Sequence, residues 1–192
     1  MSFYSENELT SIGFKSVGKN AKVSNKTSIY GAEFISIGDN VRIDDFCILS
    51  AGKSGISVGS FVHIAAYTSL IGQEKISLMD FANISSRVSI YSNNDDYSGE
   101  WMTNPIVPSE FTSITRAPVS IGKHVIVGSG SIILPGATLE EGVAVGALSL
   151  VKGLCKEFGV YCGTPAKRIS ERKRDVLLHE QVLLASLKEH GS

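Results

Sequence analysis

The stretch "SIGDNVRIDDFCIL", Ser36 to Leu49, decides the fold. Its aliphatic residues Ile37, Ile43 and Leu49 stand six apart, and the smaller residues Val41 and Cys47 stand four after Ile37 and Ile43. A helix repeats its apolar face every three or four residues and a hairpin strand every two, so neither explains a period of six. The register runs outward in both directions. Val17, Val23 and Ile29 precede it; Val58, Ile64, Leu70 and then Leu78, Ile84, Ile90 follow. It resumes at Ile121, Val127, Ile133 and closes with Leu139, Val145, Val151. Extra residues enter only after a group of three, between Ile29 and Ile37, Leu49 and Val58, Leu70 and Leu78, and Ile90 and Ile121. Each hexad therefore reads as a short strand plus a turn, and each group of three as one coil with three sides. The corner after the third side is the one that accepts insertions. The predicted fold is an all-β solenoid of about six coils, with aliphatics stacked inward. Glycine after the aliphatic, as at Gly38, is expected to relieve the turn.

The domain boundaries follow. Residues 1–16 form a short N-terminal segment in which "SENE", Ser5 to Glu8, has the form of a capping box before a helix. The solenoid spans 17–168, with a long loop over 92–116. A helix is expected over 169–192, with Ile169, Val176, Leu177, Val182, Leu183 and Leu187 on one face, covering an open coil edge. The chain has 192 residues, 43% of them hydrophobic, and a net charge of −1. That composition supports a folded core and carries no basic footprint for nucleic acid. Cys47, Cys155 and Cys162 are scattered without metal-ligand spacing, as in a reducing compartment. The N-terminus "MSFYSENELTS" lacks the basic and apolar regions of a signal peptide, and no apolar run is long enough to cross a membrane. A cytoplasmic location is the expectation.

Two C-terminal segments carry a family resemblance. "VSIGKHVIVGSGSIILPGATLEEGVAVGALSLV", Val119 to Val151, and "GTPAKRI", Gly163 to Ile169, resemble the closing coils of hexapeptide-repeat acetyltransferases, in particular the galactoside, maltose and xenobiotic O-acetyltransferase group. The resemblance implies a left-handed parallel β-helix, a homotrimer with active sites between subunits, and acetyl-CoA as acyl donor. It places acetyl-CoA along Ser129, Gly146, Ala147, Lys152, Thr164, Pro165, Lys167 and Arg168. Gly and Ala allow close approach to strand backbone, and the cations suit the phosphates. This chain departs from the family pattern at Ile126, where relatives often have Trp, and at Lys152-Gly153.

The acceptor side departs further. The resembling O-acetyltransferases place a basic His at the start of a long loop, whereas this loop begins "NNDDYSGE" and puts Asp95 and Asp96 there. An aspartate, with an ordinary pKa of about 3.9, is a weak base for an alcohol. An amine needs less help. The loop also looks like that of nucleotide-linked amino-sugar N-acetyltransferases. His63, one residue before the inward Ile64, points outward and is the candidate base, with Asp96 or Asp95 assisting. His124 is a weaker candidate, and His179 and His190 fall on the expected C-terminal helix. Asn83, in the column of His63, and Asn94, Tyr97 and Trp101 in the loop are candidates for binding a sugar, since aromatic faces stack on C–H groups while amides bond hydroxyls.

The expected function is acetyl transfer from acetyl-CoA to a hydroxyl or amino group of a sugar or nucleotide-sugar, in surface polysaccharide biosynthesis. No metal is expected. A zinc hydratase on the same fold needs three converging histidines, and the coils carry only His63 and His124. A catalytically silent β-helix scaffold is the alternative from another class.

Overall fold

The computed structural model describes residues 2–190. Three sheets run along the coil axis. Sheet A holds seven parallel strands, from Ser16–Val17 to Leu154–Cys155. Sheet B runs from Lys22–Val23 to Gly159–Gly163 and gains an antiparallel last strand, Ala166–Glu171. Sheet C holds six, from Ser28–Tyr30 to Leu150–Val151. The hexad aliphatics pair in the predicted register: Val17 with Ile37, Ile37 with Val58, Val58 with Leu78, and Leu78 with Ile121 across the long loop. All of them are buried except Val17 and Ile29, which are half-buried in the first coil. The six predicted coils are followed by two sides of a seventh. There Cys155 and Tyr161 take the inward places opposite Leu139 and Val145. The aliphatic repeat misses this turn because its inward residues are a thiol and a phenol.

The corners explain where insertions fall. The corner between sheets A and B is turned by one left-handed residue in every coil: Asn20, Asn40, Phe61, Phe81, His124, Gly142 and Phe158. Between sheets B and C the same place is taken by Phe46, Tyr67, Arg87, Gly130 and Leu148. A bulky residue at positive φ is strained. Here its neighbours compensate, because rings one coil apart stack at 5.0 Å between centroids: Phe61 on Phe81, Phe81 on His124, and Phe46 on Tyr67. The third corner, from sheet C back to sheet A, has no such ladder and carries every insertion. Gly38 has a different role from the one expected of it. Its φ is not positive, and a Cβ there would lie 2.6 Å from the carbonyl carbon of Gly59 in the next coil. It allows coils to approach closely and does not turn the chain.

At the N-terminal end, α1 (Glu6–Ile12) begins at the predicted capping box. The Ser5 amide donates to Glu8 Oε2 at 2.7 Å and the Glu8 amide to Ser5 Oγ at 3.4 Å. At the other end the expected helix starts later than 169. Residues Ala166–Glu171 are first used as the strand that closes sheet B, which places Ile169 on a strand, 65% exposed. The helix α2 is Val176–His190, and of its expected apolar face Val182, Leu183 and Leu187 stay exposed.

Candidate active site

The outer face of sheet B presents one residue per coil in the order Lys22, Arg42, His63, Asn83, Ile126, Ala144, Val160. His63 and Asn83 are neighbouring rungs, as the repeat predicts. His63 Nε2 lies 2.9 Å from Asp44 Oδ2, and Arg42 Nε donates to Asp44 Oδ1 at 2.7 Å. Asp44 stands at the turn one coil before His63 and is buried. Burial raises its carboxyl, but the hydrogen bonds from Arg42 and His63 together outweigh burial and hold it below the usual carboxylate range. An ionised carboxylate only accepts, so Nε2 of a neutral His63 carries the proton and Nδ1 remains as an acceptor. The His63 side chain is 42% exposed and within reach of a substrate. Asp44 was missed in the sequence. Its signal was the coil period itself, which sets Asp44 beside the strand of His63.

The loop leaves sheet C after Ser89–Tyr91 and returns at Val119–Ile121. Its base is ordered by a short antiparallel pair, Asn93–Asn94 with Thr115–Arg116. Further bonds tie it to the preceding coil: Ser92 Oγ to the Glu74 carbonyl at 2.7 Å, and Arg116 Nε to Gln73 Oε1 at 2.7 Å. The two aspartates then diverge. Asp96 accepts from the amides of Ser98, Gly99 and Trp101 and from Ser98 Oγ. The Ser98 side chain and those amides outweigh desolvation and hold its carboxyl low. This turn-forming role overturns Asp96 as an assisting base: its lone pairs are used and it is held as an anion of low basicity. Asp95 is exposed, and among the described residues its carboxylate has no hydrogen-bond partner. Asn94 and Tyr97 line a cavity of about 430 Å³ against the outer face of sheet C. Trp101 is 48% exposed beyond it. His63 and Asn83 project from sheet B, while the loop leaves from sheet C, and among the described residues no hydrogen bond joins His63 to the loop.

At the C-terminal coils, Ser129 and Ala147 occupy the corner between sheets B and C on successive coils, where the Leu148 amide donates to the Ser129 carbonyl at 2.9 Å. Both are exposed, as are Lys152, Thr164, Pro165 and Lys167. Gly146 is half-buried, its amide committed to the Tyr161 carbonyl at 2.8 Å and its carbonyl to Ser131 Oγ and Ser149 Oγ. Its backbone is therefore spoken for, and what it offers a ligand is space. Arg168 is partly engaged, with Nη2 2.6 Å from Glu171 Oε1. Ser129, Ala147 and Thr164 gather at the corner between sheets B and C, where Thr164 Oγ1 donates to the Leu148 carbonyl at 3.4 Å, while Lys152 follows the last strand of sheet C at the next corner; among the described residues the ammonium groups of Lys152 and Lys167 have no partner.

His124 has another fate. It is buried, with Nε2 2.7 Å from Glu180 Oε2 on α2. Lys123 bonds the other oxygen of Glu180, and Arg172 Nη1 donates to the carbonyls of His124 and Gly142. His124 clamps the helix and is closed to substrate. His179 is exposed, and the side chain of His190 lies outside the described residues. Burial pushes the thiols of Cys47 and Cys155 up to about 11, so both are inert, while Cys162 is exposed. Among the described residues no group of His, Cys, Asp or Glu could hold a metal ion, and no helix is long and apolar enough to cross a membrane.

No family model matches the chain. Its sequence is 56% identical over 186 residues to a dTDP-4-amino-4,6-dideoxy-D-glucose acyltransferase from Escherichia coli, covering 97% of each chain. The chain belongs to the hexapeptide-repeat sugar acyltransferases. A lipopolysaccharide biosynthesis O-acetyl transferase of Escherichia coli K12, WbbJ, is 30% identical over 83% of this chain and 80% of its own. Among solved structures, AntD, an N-acyltransferase from Bacillus cereus in complex with dTDP and coenzyme A, superposes with a TM-score of 0.92 at 49% identity, over 97% of this chain and 100% of its own. Other AntD structures hold dTDP-4-amino-4,6-dideoxyglucose and coenzyme A, or dTDP and 3-hydroxybutyryl-CoA. As a sugar acyltransferase, the chain fits the parallel β-helix read from its hexads, and the scaffold alternative falls away. The loop of this chain holds no histidine, and its Asp95 carboxylate has no partner among the described residues.

Proposed function

We propose that this acyltransferase moves an acyl group from acyl-CoA to the amino group of a nucleotide-linked amino sugar. The observation that carries the reading is the loop base, where Asp95 is exposed and has no partner among the described residues, and where the sequence has no histidine. A carboxylate attracts and orients an ammonium group, and an amine is nucleophilic once it has lost a proton, so a strong base in the loop is unnecessary. The relatives at 56% and 49% identity, named for an amino-sugar substrate and for N-acylation, support the same choice. AntD has been solved with substitutions at an aspartate and a serine ten residues apart. Two pairs here share that spacing, Ser85 with Asp95 and Ser86 with Asp96; Asp96 is taken up by its own turn, which leaves Asp95 and Ser85, the residue directly after the strand Asn83–Ile84. Ser85 joins Asn83, Asn94, Tyr97 and Trp101 as a proposed acceptor-binding residue.

The chemistry is direct transfer. The amine nitrogen attacks the thioester carbonyl, a C–N bond forms, the C–S bond breaks, and coenzyme A leaves as its thiol. His63 takes the amine proton on Nδ1 while Asp44 steadies Nε2–H. Binding supplies alignment, with donor phosphates on Lys152 and Lys167 and the donor's chain along Ser129, Ala147 and Thr164. His63 and the loop leave different sheets, so the site is completed by the loop of a neighbouring copy in a homotrimer. The exposure of Met102, Ile106 and Phe111 on that loop supports a partner surface. The trimer works in the cytoplasm, on precursors for surface polysaccharide.

The test measures coenzyme A thiol release from acetyl-CoA with dTDP-4-amino-4,6-dideoxyglucose and with the same nucleotide sugar bearing a hydroxyl at that carbon. Transfer to the amine alone is expected. Transfer to the hydroxyl at an equal rate, or to neither, overturns the proposal.

A further inference from the structure

The His63–Asp44 pair has a third member. Arg42 Nε donates to Asp44 Oδ1 at 2.7 Å, while His63 Nε2 lies 2.9 Å from Oδ2. One carboxylate therefore joins a guanidinium to an imidazole, with one partner on each oxygen. The coil produces this row. Ile43 is buried, so its two chain neighbours Arg42 and Asp44 fall on the outer face, and Arg42 and His63 are paired rungs of sheet B. Arg42 is steadied from the N-terminal segment as well. Its guanidinium stands 5.7 Å from the centre of the Phe3 ring, and Phe3 bridges to Ser24, just after the first strand of sheet B. The carboxylate in the middle is shielded, with its side chain 10% exposed, while the imidazole at the end of the row is open.

Charge decides what such a row does. A carboxylate alone beside a histidine favours the imidazolium, and an imidazolium has no lone pair left on Nδ1 to accept an amine proton. A guanidinium on the far oxygen opposes that, because a proton added to the ring then meets a cation already paired to the same carboxylate. The rung after His63 is Asn83, which is uncharged, and the rung before Arg42 is Lys22, a cation that acts in the same direction. We propose that Arg42 is a positioning residue for acyl transfer: by holding Asp44 Oδ1 it keeps the His63 ring neutral, with Nε2–H on Asp44 Oδ2 and Nδ1 as the acceptor of the amine proton. Arg42 acts through the carboxylate and touches no reacting atom. The proton that His63 takes from the attacking amine passes on to the sulfur of the departing thiolate, so the row ends the turnover with the charges it began with. The inference rests on the proposed reaction with His63 as base, and adds the residue that sets the state of that base.

The experiment follows coenzyme A thiol release from acetyl-CoA, with the dTDP-linked amino sugar as acceptor, from pH 5.5 to pH 9. It compares the full chain with Arg42→Gln, Arg42→Met, Arg42→Lys and His63→Ala. Titration of the free acceptor is common to all of them, so differences between the curves belong to the protein. Without the cation, the acid limb of kcat/KM should move up by about one pH unit in Arg42→Gln and Arg42→Met, a loss of about tenfold at pH 6 that shrinks to less than about threefold at pH 8.5. Arg42→Lys, which returns a cation, should bring the limb back towards the wild-type position. A loss by one factor at every pH in both neutral variants, or no loss in either, overturns the role of Arg42, as does a limb that stays fully displaced in Arg42→Lys. With His63→Ala impaired, those outcomes leave His63 standing as the base. Wild-type activity in His63→Ala overturns the base and the role of Arg42 together, and no transfer by the wild type overturns the proposed reaction itself.

Discussion

Two regions of this molecule pair a histidine with a carboxylate, and they do opposite things. His63 and Asp44 lie on sheet B with the ring 2.9 Å from its partner and the side chain 42% exposed. His124 and Glu180 join a coil corner to α2 at 2.7 Å, with the histidine side chain 5% exposed. In both, the carboxyl is held below its ordinary range by the partners that bond it. What differs is the other side of the ring. His124 is stacked on Phe81 and closed in by the helix, so its imidazole can only hold structure. His63 keeps a face and one ring nitrogen open. The chemistry of a pair is thus set less by the residue types than by which of their atoms the fold leaves unused.

The largest effect expected is on the open pair. His63→Ala should lower kcat for amino-sugar acylation about 100-fold, the usual scale for losing a general base, while the lost bond to buried Asp44 lowers the melting temperature by only about 2–6 °C. If activity survives and the melting temperature falls instead, the two pairs are alike and both are structural. The closed pair should respond the other way. Glu180→Gln weakens charge-assisted bonds to Lys123 and His124 while keeping one acceptor oxygen, a loss of about 1.5–2.5 kcal/mol in all. At roughly 2–4 °C per kcal/mol for a chain of this size, calorimetry should show a fall of about 3–10 °C, with kcat little changed.

Much of the scaffold was readable from spacing because a solenoid repeats one energetic decision: an inward aliphatic every six residues predicts every strand that carries one. The seventh turn escaped because Cys155 and Tyr161 fill the same inward places with other chemistry. The start of α2 escaped because "AKRISE" is amphipathic enough for either a helix or an edge strand, and pairing with Gly159–Gly163 decides it. At the site, the outward direction of His63 followed from Ile64. That Asp96 is consumed by its own turn did not, since a carboxylate followed by Ser and Gly looks the same in sequence whether it meets substrate or backbone amides. Asp44 needed the coil closed to be seen beside His63.

Acid should sharpen the contrast between the pairs, with a smaller effect. The carboxyl of Glu180 sits below its ordinary value of 4.5, mainly through the Lys123 and His124 hydrogen bonds. A lowered folded value means the stabilisation is complete above about pH 4.5 and is lost as pH falls through the folded value. Asp44 starts from a lower ordinary value of 3.8, so its contribution begins to be lost only below about pH 3.8. In melts from pH 6 to pH 3, wild type should lose stability more steeply below pH 4.5 than Glu180→Gln does. Parallel curves would mean that the clamp contributes no charge-dependent stability.

The smallest effect is expected at Asp96, and it tests whether the loop aspartates divide as the two histidines do. Asp96 is partly exposed, and its work is to gather the amides of Ser98, Gly99 and Trp101 into a turn. Asparagine can still accept from those amides through its side-chain carbonyl, so Asp96→Asn keeps most of the turn. Its kcat/KM should stay within about threefold of wild type, because caps of this kind change by little when Asp and Asn are exchanged. Asp95→Asn removes a carboxylate that bonds nothing among the described residues, so any loss there is read on the acceptor, as a raised KM for the amino sugar with KM for the donor unchanged. Equal losses in the two variants would mean that the loop acts through its shape alone, and that the unpartnered carboxylate is not what selects an amine.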